Sequence, residues 1–123
     1  MPFSYSFDLD RNLLRQRLWD RVTAADLREL VIVTRRDPLY RTKLNILADL
    51  RDAQVDIKYN DMLDYAHFLS GTSEIGRQAI VVARQLEFGM ARMYQQLTEQ
   101  SVQRADLKVF REMDEAEQWV LSG

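Results

Sequence analysis

Five consecutive apolar residues, Ala79-Ile80-Val81-Val82-Ala83, stand between Arg77 and Arg84. A run this short, with no polar alternation, suits a strand buried on both faces. Leu44, Ile46, Leu47, Ala48 and Leu50 make a second, nearly continuous run that stops at Asp49-Leu50-Arg51-Asp52. Two such strands demand covering layers above and below the sheet, and the sequence between and around them reads as helix. The chain is therefore expected to fold as a layered α/β domain.

The helical signals are local. Thr23 is a good N-cap, and Asp26 three residues on resembles a capping box. Leu27, Leu30 and Val31 then recur at i, i+3, i+4, the start of an apolar stripe. Thr34 breaks that stripe, so strand remains an alternative for Leu30-Val31-Ile32-Val33. Asp37-Pro38 ends the element, because the residue before proline is pushed out of the α region. Asn60 or Asp61 is expected to cap a second helix with Met62, Ala66 and Leu69 inward, and Gly71-Thr72-Ser73 closes it or opens the loop after it. Leu86, Met90, Met93, Tyr94 and Leu97 mark a third. Leu107-Lys108-Val109-Phe110 reads as a last short strand. Asp114, with Glu117 in the capping-box position, starts a terminal helix carrying Ala116, Trp119 and Val120.

The opening reads as a hairpin. Tyr5, Phe7 and Leu9 alternate with polar residues, Asp10-Arg11-Asn12 supplies turn chemistry, and Leu14, Leu18 and Val22 continue an even register that Gln16 interrupts. Trp19 falls on the other face. The order is β-β-α-β-α-β-α-β-α, a mixed sheet with an antiparallel edge and right-handed parallel crossovers flanked by helices. Residues 1–123 are read as one domain, with no internal repeat or linker.

Composition narrows the chemistry. Hydrophobic residues form 46% of the chain, enough to offset the entropy of ordering it. There is no cysteine, which excludes disulfides, thiol catalysis and cysteine-held metals. A net charge of -2 argues against a nucleic-acid partner, which usually meets a positive surface. Arg15, Arg17, Arg21, Arg35, Arg36, Arg41 and Lys43 are scattered and read as solvated faces. No apolar stretch approaches the roughly 20 residues that span a bilayer. The start, Met1-Pro2-Phe3-Ser4, has no basic segment before an apolar run. Membrane insertion is not expected, and the cytoplasm is the expected compartment.

Four stretches in order carry a resemblance. They are the hairpin leading into Thr23-Ala24-Ala25-Asp26-Leu27, the strand ending Ala48-Asp49-Leu50-Arg51, the segment Phe88-Gly89-Met90-Ala91-Arg92-Met93-Tyr94, and the ending from Val109 to Val120. Together they resemble the bacterial SpoIIAA-like (STAS/SEC14-type) domains over nearly the whole chain. The resemblance implies a mixed sheet flanked by helices, in a family whose close members mostly have no assigned activity. Its best-understood relatives are anti-sigma-factor antagonists, which bind a kinase-like partner and are switched by phosphorylation of a serine after the corresponding strand. Phosphorylation there adds close to two negative charges at a protein contact. Here residues 52–61 hold no serine, threonine or glycine, so that switch does not carry over.

Candidate site residues gather at the carboxyl ends of the predicted strands, where ligand crevices form in open α/β sheets. Asp49, Arg51 and Asp52 lie there, against the plainer reading of a salt-bridged turn. Lys58 and Tyr59 in the following loop are candidate contacts for a ligand or partner. Arg84, with Phe88, stands where the third helix begins and its free N–H groups favour an anion, although Glu87 shares that first turn and no glycine-rich loop is present. Trp19 is a candidate interface residue. His67 is the only histidine and has no nucleophile motif beside it, so it reads as a helix-surface residue. With Asp61 or Asp64 it would make an incomplete metal site. Met90, Met93 and Met113 with Phe88, Tyr94 and Trp119 read as core.

The chain is thus expected to be a non-enzymatic interaction or regulatory module with an unidentified protein partner and no cofactor. Two-fold homodimerisation is a further expectation. The alternative is a small-molecule or lipid-binding domain of SEC14-like type, which a solid interior would oppose. A small enzyme using Asp49, Arg51 or His67 ranks third.

Overall fold

Asn12 closes the opening hairpin in the left-handed conformation, at φ 56° and ψ 47°. Asn tolerates that region better than most residues, and here its Nδ2 donates at 2.9 Å to the carbonyl of Lys43, 31 positions along the chain. The computed structural model describes residues 2–70, 75–101 and 106–122. In it β1 (Phe3–Asp8) passes through one 3-10 turn (Leu9–Arg11) into β2 (Leu13–Thr23), followed by α1 (Ala24–Arg36), β3 (Asn45–Asp56), α2 (Tyr59–Ser70), β4 (Gln78–Val81), α3 (Gln85–Ser101), β5 (Leu107–Phe110) and α4 (Met113–Leu121). This is the element order that the sequence predicts.

The five strands lie side by side in chain order. β1 and β2 are antiparallel, with Phe3 opposite Leu18 and Asp8 opposite Leu13; every later pair is parallel. Right-handed crossovers that always step in one direction put their helices on one face. Accordingly α2 packs between α1 and α3, while α4 packs on β3, β4 and β5. β4 is buried at all four positions. Ile80 and Val82 join Met62, Tyr65, Leu69, Tyr94 and Leu97 beneath the three helices. Ala79 and Val81 join Leu13, Leu47 and Phe110 beneath Ala116 and Val120 of α4. Two-sided burial accounts for the apolar run as far as Val82; Ala83, past the end of β4, is exposed.

One helix cannot cover five strands. On the α4 side the outer half of the sheet stays open, and polar side chains occupy it: Ser4 and Ser6 from β1, Arg15 and Arg17 from β2. Among the described residues no helix is long and apolar enough to cross a membrane.

Several local expectations need correcting. Leu30-Val31-Ile32-Val33 is helix. Thr34 is buried in the stripe it was expected to break, because its hydroxyl donates to the Leu30 carbonyl at 2.8 Å and leaves no unmet polar group. β3 does not stop at Asp52; pairing with β2 carries it to Asp56, across a register shift between Arg17 and Trp19. α2 begins one residue before Asn60, with the Lys58 carbonyl accepting from the Met62 N–H at 2.9 Å. Asn60 and Asp61 therefore sit in its first turn. Gly71-Thr72-Ser73 lies outside the described residues.

In α3 the inner face is displaced from the expected stripe. Leu86 is 68% exposed and Met93 43%, whereas Glu87 is 2% exposed. α4 starts at Met113 and its N-cap, Glu112, makes no side-chain cap bond. Glu117 is no capping-box partner, since it accepts instead from Arg15 Nη2 at 2.7 Å.

The predicted capping box at Thr23 is present in both directions. Asp26 N–H donates to Thr23 Oγ1 at 3.3 Å, and Thr23 N–H donates to Asp26 Oδ2 at 2.8 Å. Replacing Thr23 by alanine orphans a helix N–H at the junction of β2 and α1. Urea unfolding is expected to show Thr23→Ala less stable by about 1 kcal/mol, with an unchanged m-value.

Candidate functional site

β2 and β3 outrun their neighbours. β1 reaches only Leu18 of β2, and β4 only Asp49 of β3, while β2 and β3 stay paired from Trp19–Asp52 to Thr23–Asp56. A two-stranded parallel ribbon thus projects past the five-stranded body. The predicted site residues lie on and around it, and it divides them between the two faces of the sheet.

On the α4 side Asp49 receives three hydrogen bonds from Arg51: from the backbone N–H at 3.1 Å, from Nε at 2.9 Å and from Nη2 at 2.9 Å. Burial pushes the Asp49 carboxyl up, but the side-chain and backbone bonds from Arg51 and the charges of Arg51 and Arg17 outweigh it and hold it below the ordinary 3.8. Asp52 accepts from Arg17 Nη2 at 3.0 Å. The Arg17 guanidinium in turn lies 5.0 Å from the centre of the Trp19 ring. Arg21 and Asp56 repeat the pattern further along, at 2.7 Å. Trp19 itself is half-buried and belongs to the inner strand of the edge hairpin. Beside this cluster is an open groove of about 310 Å³ between β1, β2 and Met113, with Ser4, Ser6, Arg15 and Arg17 on its floor.

On the other side α3 meets the ribbon. Glu87 Oε2 accepts from the Val55 N–H at 3.1 Å, and Oε1 accepts from Arg84 Nε at 2.9 Å. Val55 lies beyond the end of β4, so its N–H has no strand to pair with there. A buried carboxylate takes the place of that strand, and the arginine balances its charge. The charge of Arg84 is thereby met within the chain. Phe88 is half-buried with the Arg111 guanidinium 4.3 Å from its ring centre. Lys58 and Tyr59 stand exposed at the start of α2. His67 is exposed further along the same helix. Among the described residues no three His, Asp or Glu side chains are grouped to hold a metal ion.

Between the sheet and α1–α3 is a cavity of about 90 Å³. Its walls are mostly apolar, among them Leu18, Leu30, Leu50, Met62 and Ile80, and three polar side chains interrupt them: Gln16, Gln78 and Glu87. None of the three was a predicted site residue. Gln16 did leave a signal, as the polar residue that breaks the Leu14, Leu18, Val22 register. Glu87 left none, because a glutamate in a first helical turn is ordinary.

The SpoIIAA-like family model matches residues 13–121. Among solved structures the fold is similar to that of an uncharacterised protein from the DUF3478 family with a SpoIIAA-like fold, from Shewanella loihica PV-4. The TM-score is 0.62 at 16% sequence identity, over 96% of this chain and 91% of that one. A likeness at that identity shows the fold alone. No curated protein matches the sequence.

The Asp49–Arg51 contact has a pH signature. A carboxyl held below its unfolded value contributes stability that is present above 3.8 and lost as pH falls through the folded value. Asp49→Asn is therefore expected to be less stable than the parent near neutrality, and the gap should close below pH 3.8. Urea midpoints on both sides of that pH measure it.

Proposed function

The chain belongs to the SpoIIAA-like family, and on that footing we propose that it is a non-enzymatic interaction or regulatory module that works by binding a protein partner. The observation that carries the reading is the pairing of charges along the β2–β3 pair and at the start of α3. Asp49 meets Arg51, Asp52 meets Arg17, Asp56 meets Arg21 and Glu87 meets Arg84. A general acid or base needs a group poised to exchange a proton with substrate; here each of these carboxylates is held by a guanidinium. The module resembles the anti-sigma-factor antagonists in fold but has no serine or threonine in residues 52–61. Its contact would then be set by permanent side chains, with Lys58 and Tyr59 at the head of α2 as the exposed pair.

Affinity capture of the tagged protein from its native cytosol, with mass spectrometry of the retained proteins, tests this. A kinase-like or sigma-factor-linked protein should be retained, and Tyr59→Ala or Lys58→Glu should weaken its binding roughly tenfold, about 1.4 kcal/mol, without moving the melting temperature. Retention of no protein above the untagged control overturns it.

A second reading has its own observation, since the interior is not solid. The 90 Å³ cavity is smaller than the roughly 150 Å³ apolar cavity known to hold benzene. A lipid or other larger ligand would need α2 or α3 to move away from the sheet. Indole, larger than benzene, needs the same opening, and on this reading its titration followed by NMR should shift Met62, Tyr65 and Ile80 saturably. Unshifted signals at these residues eliminate small aromatic ligands at this cavity.

A further inference from the structure

Among the described residues no strand pairs with the outer side of β1, at one edge of the sheet. The Trp19 N–H donates to the Pro2 carbonyl at 3.0 Å. With Phe3 opposite Leu18, the alternation of an antiparallel ladder turns the backbone groups of Ser4, Ser6 and Asp8 toward β2. Those of Phe3, Tyr5 and Phe7 consequently point away from the sheet. We propose that β1 is the contact of a two-fold homodimer, in which two copies pair their first strands antiparallel with Tyr5 facing the partner's Tyr5, joining two five-stranded sheets into one.

Three features commit this edge to a second copy. The first is the lack of edge protection. Monomeric proteins blunt exposed edges with lysine, proline, bulges or very short strands. Residues 3–8 contain no lysine, proline or bulge and a single charge, Asp8 at the strand's end, whereas β5 at the far edge is only four residues long and carries Lys108.

The second is charge. Phe3 to Phe7 carry no charged side chain, so the strand meets itself without repulsion. Arg15 and Arg17 lie behind Ser6 and Ser4. Across the seam each arginine is separated from its counterpart by three strand spacings, about 14 Å, which exceeds the screening length of about 8–10 Å.

The third is what covers the helix side of the seam. Tyr5 and Phe7 are only half-buried, with their rings edge to face at 5.8 Å. The Tyr5 hydroxyl donates to Asp37 Oδ2, and the other oxygen of that carboxylate accepts from the N–H of exposed Leu39 at 2.9 Å. A second copy would cover this apolar strip.

The register follows from the hydrogen bonds. Centring the two-fold axis on Tyr5 engages Phe3, Tyr5 and Phe7 of both copies, while centring it on Ser4 or Ser6 leaves one of the three out. Ser4 then opposes the partner's Ser6 in a non-hydrogen-bonded pair. Such pairs have Cα atoms about 4.5 Å apart, within the roughly 4.4–6.8 Å that a disulfide spans.

The chain has no cysteine, so engineered thiols report on the seam without background. Both serines are exposed, so Ser4→Cys and Ser6→Cys are expected to leave the fold intact. Sedimentation of the parent should give twice the 14.5 kDa chain mass. Under mild oxidation an equilibrated mixture of the two variants should cross-link, and neither variant alone should. A parent that sediments as a monomer at every loading overturns the proposal. So does a dimer that cross-links through Ser4→Cys alone or Ser6→Cys alone, or that gives no cross-link in the mixture.

Discussion

The parallel pairing of β2 with β3 is the constraint from which the rest of the structure follows. It runs from Leu13–Asn45 to Thr23–Asp56, longer than any other pairing in the sheet. β1 reaches the sheet only through β2, and β4 and β5 only through β3. Because the pair is parallel, the chain must cross over between them, and α1 is that crossover. Because β1 and β4 stop short, the far end of the pair stands clear of the body as a ribbon. That ribbon is where the charged pairs concentrate and where α3 is fastened.

The ribbon also explains why the polar chemistry is arranged as it is. A strand end without a neighbour has backbone groups to satisfy. On the β4 side Glu87 accepts from Val55 and Arg84 donates to the Ala53 carbonyl at 3.4 Å, so one ion pair caps both kinds of group. On the α4 side Asp49 takes the Arg51 N–H at the register shift. These contacts join side chains whose first duty is to the backbone. The chemistry that remains for a partner is that of exposed surface: Lys58 and Tyr59 at one end, Ser4 and Ser6 on the open half of the sheet.

Much of this fold was legible in the sequence because its signals are local. The two-sided burial of β4 could be read from five apolar residues, the start of α1 from Thr23 and Asp26, and the hairpin from the alternation between Tyr5 and Leu9. What escaped depends on distant partners. Nothing near Asp52 says that β3 continues to Asp56; β2 decides that by pairing with it. Leu86 and Met93 match an apolar stripe as well as their neighbours do, but Val55, 32 positions away from Glu87, rotates the helix so that the glutamate is inside. Likewise Glu117 satisfies a capping pattern on paper and is claimed by Arg15. Asp49 and Arg51 were expected at the carboxyl end of a strand, but β3 runs on to Asp56 and leaves them inside it, while Gln16, Gln78 and Glu87 became cavity walls only once three helices had closed over the sheet.

The lone helix on the second face also orders events in time. Leu13 and Leu47 are covered by Ala116 and Val120, and Arg15 is bonded to Glu117 across 102 positions of chain. A ribosome adding about 5–20 residues per second takes on the order of 5–20 s to cover that interval. Throughout it the three-helix face can assemble behind the growing chain while the opposite face of β2 and β3 stays bare. The apolar residues there are protected last, when the final nine-residue helix emerges and closes over them.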